Sequence, residues 1–184
     1  MNKEKGRLEK ESNQQILVDL MKNHGDMVLR VAFTYVKDKQ LAEDLSQEVF
    51  IRCYQSIHHF ENRSSYKTWI YRITVNCCKD YVKSWSFRNI IPRSVVKRDN
   101  EQYLDSVISQ IVNNEDDEIL FNYVLKLSVK LREVIIFYYY EDLSIHEIAN
   151  ILDVSENTIK SRLFRARKSL QNYIEGEGGM ILER

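Results

Sequence analysis

The chain is poor in the residues that make tight turns: it has one proline and five glycines in 184 residues. A sheet protein with many reversals needs more of both, so the expected fold class is all-α. Cysteine is scarce too. Cys53, Cys77 and Cys78 are odd in number and two are adjacent, which speaks against a disulfide framework. A zinc site could be drawn from them with His58 and His59, but no Cys-x-x-Cys pair would nucleate it, so buried thiols are expected and neither metal nor cofactor is. No apolar run approaches the ~20 residues that span a bilayer. The start, Met1-Asn2-Lys3-Glu4-Lys5, is charged rather than a secretory core. These features predict a cytoplasmic protein with no direct membrane insertion.

One further absence is local. The 27 basic and 27 acidic residues balance, yet no acidic residue lies between Glu156 and Glu175. A solvated basic helix normally pairs its lysines and arginines with carboxylates one turn away, and here those partners are missing. The preceding stretch is built as a helix pair. Ser144 and Glu147 have capping-box spacing, and Ile145, Ile148, Ala149 and Leu152 share one helical face. Asp153-Val154-Ser155 forms the turn, with Ser155 as the N-cap of the next helix. On that helix Ile159, Leu163, Ala166 and Leu170 face inward, leaving Lys160, Arg162, Arg165, Arg167 and Lys168 for a polyanion. The pattern is that of a DNA-binding helix-turn-helix.

Helical periodicity divides the rest into two small domains joined by a flexible acidic linker. Residues 15–85 hold a first helix or pair, with an interruption near Gly25, and then the stripes Leu41-Leu45-Val49-Cys53-Ile57 and Trp69-Ile73-Cys77-Tyr81. Residues 86–118 are polar, and the segment 86–120 carries four basic and seven acidic side chains. Residues 119–175 form the helix-turn-helix domain. No nucleophile–base spacing or glycine-rich phosphate loop stands out, so no enzymatic activity is expected.

Three separated blocks carry a family resemblance. Leu41-Ala42-Glu43-Asp44-Leu45-Ser46-Gln47-Glu48-Val49-Phe50 is the first, and Phe60 with Trp69-Ile70-Tyr71-Arg72-Ile73, Asn76 and Asp80 is the second. Thr158-Ile159-Lys160-Ser161-Arg162-Leu163-Phe164-Arg165-Ala166-Arg167 is the third. In this order they resemble bacterial sigma factors of the extracytoplasmic-function type. The sequence departs from the family at Val75, often arginine, at Asp153, usually glycine, and near Leu127–Leu131, where a proline is frequent.

The resemblance implies a transcription initiation factor that binds core RNA polymerase, directs it to promoter DNA and helps melt the −10 region. Asp44, Gln47 and Glu48, on the polar side of their helix, would dock on the polymerase clamp. Asn62, Arg63, Ser64, Ser65 and Tyr66 would capture an unstacked −10 base, and Asn76, Lys79 and Lys83 would follow the strand. Trp69 is either a stacking surface for that base or part of the core. Lys160, Arg162 and Arg165 would read the −35 element, with Arg162 bidentate to a guanine. Ser155, Asn157, Thr158, Ser161, Phe164 and Arg167 would support them. An anti-sigma factor, membrane-linked in many relatives, is the further partner implied. A regulator with an N-terminal sensing module is the competing reading, which a ligand pocket or phosphorylatable aspartate in residues 15–85 would favour.

Overall fold

The computed structural model describes the backbone of residues 2–60, 65–88 and 115–182. These are helical apart from short connections, with no strand among them. They fall into two compact units, Met1–Ser84 and Trp85–Arg184.

In the first unit α1 runs Asn2–Val36, α2 Lys39–Ser56 and α3 Tyr66–Arg88, with a single 3-10 turn, Ile57–His59, after α2. The expected break at Gly25 does not occur. Glycine weakens a helix by only about 1 kcal/mol, and the buried Val28, Val31, Ala32 and Phe33 beyond it hold α1 in register. Lys37, left-handed at φ 54°, turns the chain back so that α2 packs along α1. Asp38 caps α2 by accepting from the Leu41 amide at 3.0 Å. Ala42, Leu45, Val49 and Cys53 are the buried stripe of α2.

In α3 the buried face is Ile70, Tyr71, Thr74, Val75, Cys77 and Cys78, while Trp69, Ile73 and Tyr81 are only half-buried. The expected stripe is thus displaced by about one position, because Thr74 reads as polar. Its hydroxyl donates to the Ile70 carbonyl at 2.8 Å, which satisfies it inside the core. All three cysteines are free and buried, and burial pushes the Cys53 and Cys78 thiols up to about 12.

The second unit contains α4 (Glu115–Lys126), α5 (Val129–Ile135), a π-helical turn (Ile136–Tyr140), α6 (Ile145–Leu152) and α7 (Glu156–Leu182). The ends of the expected linker are therefore helical: residues 86–88 close α3 and residues 115–118 open α4. Residues 89–114 lie outside the described residues. The buried Arg132 of α5 donates to the carbonyls of Leu125 and Leu127 at 2.9 and 2.7 Å, tying down the end of α4. Phe121, Phe137, Ile148, Ile159 and Leu163 fill the space between the helices.

Candidate nucleic-acid and polymerase interfaces

The helix-turn-helix forms from local rules. The Ser144 amide donates to Glu147 Oε2 at 2.9 Å and the Glu147 amide to Ser144 Oγ at 3.2 Å, completing the capping box. Asp153 ends α6 in the left-handed conformation, φ 55° and ψ 54°, with its amide bonded to the Ala149 carbonyl. Ser155 accepts from the Thr158 amide at 3.2 Å, and the two hydroxyls lie 2.9 Å apart. Ser155 therefore serves as the N-cap of α7. His146 Nδ1 donates to Glu156 Oε1 at 3.0 Å, and its Nε2 lies 3.0 Å from Asn150 Nδ2, which fastens α6 to the first turn of α7.

The side chains of α7 divide into two groups. Asn157, Lys160, Ser161, Phe164, Arg165 and Lys168 are exposed, and a shallow groove of about 500 Å³ is lined by Lys160, Ser161, Phe164 and Arg165. Phe164 is 68% exposed among these polar neighbours. Arg162 lies apart from them. Its Nη1 donates to Glu133 Oε1 of α5 at 3.0 Å, with side-chain exposures of 19% and 3%. This bond ties the Arg162 guanidinium to its own unit through Nη1, which favours a positioning role over base reading. Arg167 is exposed, and its Nε donates to Tyr139 Oη of the π-turn at 2.8 Å.

At the start of α3, Ser65 accepts from the Thr68 amide at 3.1 Å, and the two hydroxyls lie 3.1 Å apart. The same Ser-x-x-Thr cap therefore opens α3 and α7, and Ser65 is committed to it. Behind the cap, Phe60 stacks on Tyr66 with centroids 4.3 Å apart, and Trp69 lies 5.3 Å from Phe60. Trp69 is half-buried in this cluster, neither core nor free platform. Asn62, Arg63 and Ser64 lie outside the described residues. Further along α3, Asn76 and Lys83 are exposed and Lys79 is half-buried on one face. The exposed Arg72, one turn before Asn76, extends that face, and only its exposure in the folded helix separates it from the core positions around it.

On α2, Asp44 and Gln47 are exposed, while Glu48 accepts from Arg52 Nε at 2.8 Å. Arg52 also reaches Asp80 of α3 at 3.2 Å, so one guanidinium joins the two helices. Beside Gln47 runs an apolar groove of about 700 Å³ between α1 and α2, lined by Met21, Gly25, Phe50, Ile51 and Tyr54 among others. The exposed Ile51 forms part of its rim.

Comparison with known proteins extends these observations. Sigma-70 region 2 matches residues 20–87 and Sigma-70 region 4 matches residues 117–170. The ECF RNA polymerase sigma factor SigM of Bacillus subtilis is 34% identical, over 78% of this chain and 86% of its own. The ECF RNA polymerase sigma-E factor of Escherichia coli (strain K12) is 33% identical, over 72% and 73% respectively. Among solved structures, CnrH in complex with the cytosolic domain of CnrY superposes with a TM-score of 0.66 at 21% identity, covering 91% of this chain and 92% of that one. RpoE of Bartonella quintana, in complex with the anti-sigma factor NepR, gives 0.60 at 21%, covering 88% and 96%. With both conserved regions matched in order and a relative at this identity spanning most of each chain, the protein belongs to the ECF sigma factors of the sigma-70 family.

Proposed function

We propose that this sigma factor docks on core RNA polymerase through the exposed face of α2, reads the −35 element with α7 and opens the −10 region from the start of α3. It is an initiation factor and not an enzyme, as its family membership implies. Phe164 is the observation that carries the −35 assignment. A large aromatic side chain 68% in solvent, ringed by Lys160, Ser161 and Arg165, is poorly placed for a monomer surface. It is well placed for the major groove, where an apolar side chain meets a thymine methyl and the cations meet guanine acceptors or phosphates. Asn157 and Lys168 lie on the same exposed side.

The −10 assignment rests on the loop before α3 and on the face Arg72, Asn76, Lys79 and Lys83. The aromatic cluster of Phe60, Tyr66 and Trp69 at the start of α3 offers ring surface on which a base can stack. Asp44, Gln47 and Glu48 supply the polar part of the polymerase contact, and Ile51 with the adjoining groove supplies apolar area. An anti-sigma factor competing for this α2 surface would hold the protein inactive, in keeping with the NepR complex of the Bartonella relative. No helix among the described residues is long and apolar enough to cross a membrane, and the protein acts in the cytoplasm, where polymerase is. The α1–α2 groove is open to solvent and mainly apolar, which supports a docking surface over a sensing pocket.

The test is charge reversal. Asp44→Lys with Glu48→Lys should abolish holoenzyme assembly with core polymerase while leaving the helical circular dichroism unchanged, because Asp44 is exposed and Glu48 loses only a surface ion pair with Arg52, a cost of about 1 kcal/mol or less. Wild-type affinity in the double variant would move the interface elsewhere.

A further inference from the structure

We propose that Tyr139 and Arg167 together form a clamp for one DNA backbone phosphate beside the −35 element, a deeper reading that rests on the −35 assignment above. The two residues come from separate elements, the π-helical turn and α7. Arginine carries only donors, so the 2.8 Å contact between Arg167 Nε and Tyr139 Oη fixes the hydroxyl as acceptor. The hydroxyl proton is then directed away from Arg167. Tyr139 is 55% exposed, which leaves that proton open to a ligand from solvent.

The guanidinium is braced as well. Its carbon lies 5.7 Å and 5.6 Å from the ring centroids of Tyr138 and Tyr139. The hydrogen bond uses Nε, which leaves the Nη edge for another acceptor. Neither a ring nor a neutral hydroxyl cancels the positive charge, and no carboxylate pairs with Arg167 among the described residues. A cation and an O–H donor held together fit a singly charged oxyanion.

Its place on α7 selects phosphate over base. Arg167 lies seven residues beyond Lys160, roughly 10 Å along the helix axis. The major groove is about 8.5 Å deep and recognition helices read bases with their N-terminal residues, so Arg167 falls at the backbone. Tyr139 itself lies inside the π-turn. The Glu141 amide closes that turn on the Ile136 carbonyl at 3.1 Å, across five residues rather than the four of an α-helix.

The experiment uses holoenzyme, reconstituted from the full chain and core polymerase, on a promoter it has selected from a random pool. Closed-complex affinity is measured at several salt concentrations and on duplexes carrying single methylphosphonates. Tyr139→Phe, which loses only the hydroxyl, should weaken binding about three- to tenfold by the same factor for every −35 sequence. Arg167→Gln should also lower the salt slope by about one. At one methylphosphonate position flanking the −35 element, wild type and Tyr139→Phe should bind alike. Wild-type affinity of Tyr139→Phe, or a loss that persists at every position, overturns the clamp, and so does a change in base preference. Phe164→Ala, run alongside, separates the two claims: unchanged −35 discrimination in it would sink the −35 reading, whatever Tyr139→Phe does. Thermal unfolding of each variant excludes a folding defect as the cause.

Discussion

Replacing Arg162 by alanine separates positioning from base reading. In the native unit Glu133 is 3% exposed and accepts from Arg162 at 3.0 Å, joining α5 to the recognition helix. Removing the cation takes the Arg162 hydrogen bond from that buried carboxylate. Breaking a buried pair from one side costs about 3–5 kcal/mol, and the low end applies because Arg162 is itself 19% exposed. A loss of about 3 kcal/mol is a large part of what so small a unit can hold. The assay is urea unfolding followed by circular dichroism, with amide hydrogen exchange in α5 and α7 to locate the loss. Replacing both partners, Glu133→Leu with Arg162→Met, removes the buried charges together and should restore most of the stability. Promoter binding should recover with it, which a lost guanine contact would not allow. If Arg162→Ala costs less than about 0.5 kcal/mol and the double variant still fails to discriminate −35 sequences, Arg162 reads bases and the positioning role is wrong.

Two other variants test the N-terminal unit. Gly25 lies inside α1, and a Cβ there would meet nothing within 4 Å, so Gly25→Ala should stabilise the unit by about 0.5–1 kcal/mol in a denaturant midpoint measurement. Burial raises the Cys53 and Cys78 thiols from 9.0 to about 12. The unfolded chain therefore releases protons near pH 9 that the native state keeps, and stability is full below pH 9 and lost as pH rises towards 12, by up to about 1.4 kcal/mol per unit per thiol. Urea titrations between pH 8 and 11 should show this decline, reduced by one thiol's share in Cys53→Ala, and a flat profile would contradict the burial.

What was legible in the sequence was local. The capping box of Ser144 and Glu147, the cap at Ser155 and the turn at Asp153 depend on spacings of a few residues and on backbone rules that hold in any fold. The Ser65 cap follows the same Ser-x-x-Thr pattern as Ser155 and is legible in the same way. The pairs Arg162–Glu133, Arg52–Asp80 and Arg167–Tyr139 were not legible. They join residues 29, 28 and 28 positions apart, and the angle at which helices pack decides them. Helical periodicity shows that Arg162 lies off the apolar stripe. It does not say whether a carboxylate of the same chain or a base of DNA meets it there. The shifted core of α3 has a similar cause, since Thr74 is buried by satisfying its own hydroxyl within the helix.

In the proposed division of labour the helix-turn-helix unit holds promoter DNA while the start of α3 opens it. Replacing residues 62–64 by glycine and serine tests this while sparing Ser65 and Tyr66, which cap and anchor α3. Holoenzyme is footprinted on a promoter and the same complexes are treated with permanganate, which reports unstacked thymines. Extruding a base costs a few kcal/mol that the loop's contacts must offset. The variant should keep its −35 footprint and lose permanganate reactivity at the −10 element. Loss of both signals together, or of neither, would contradict the division of labour between the two units.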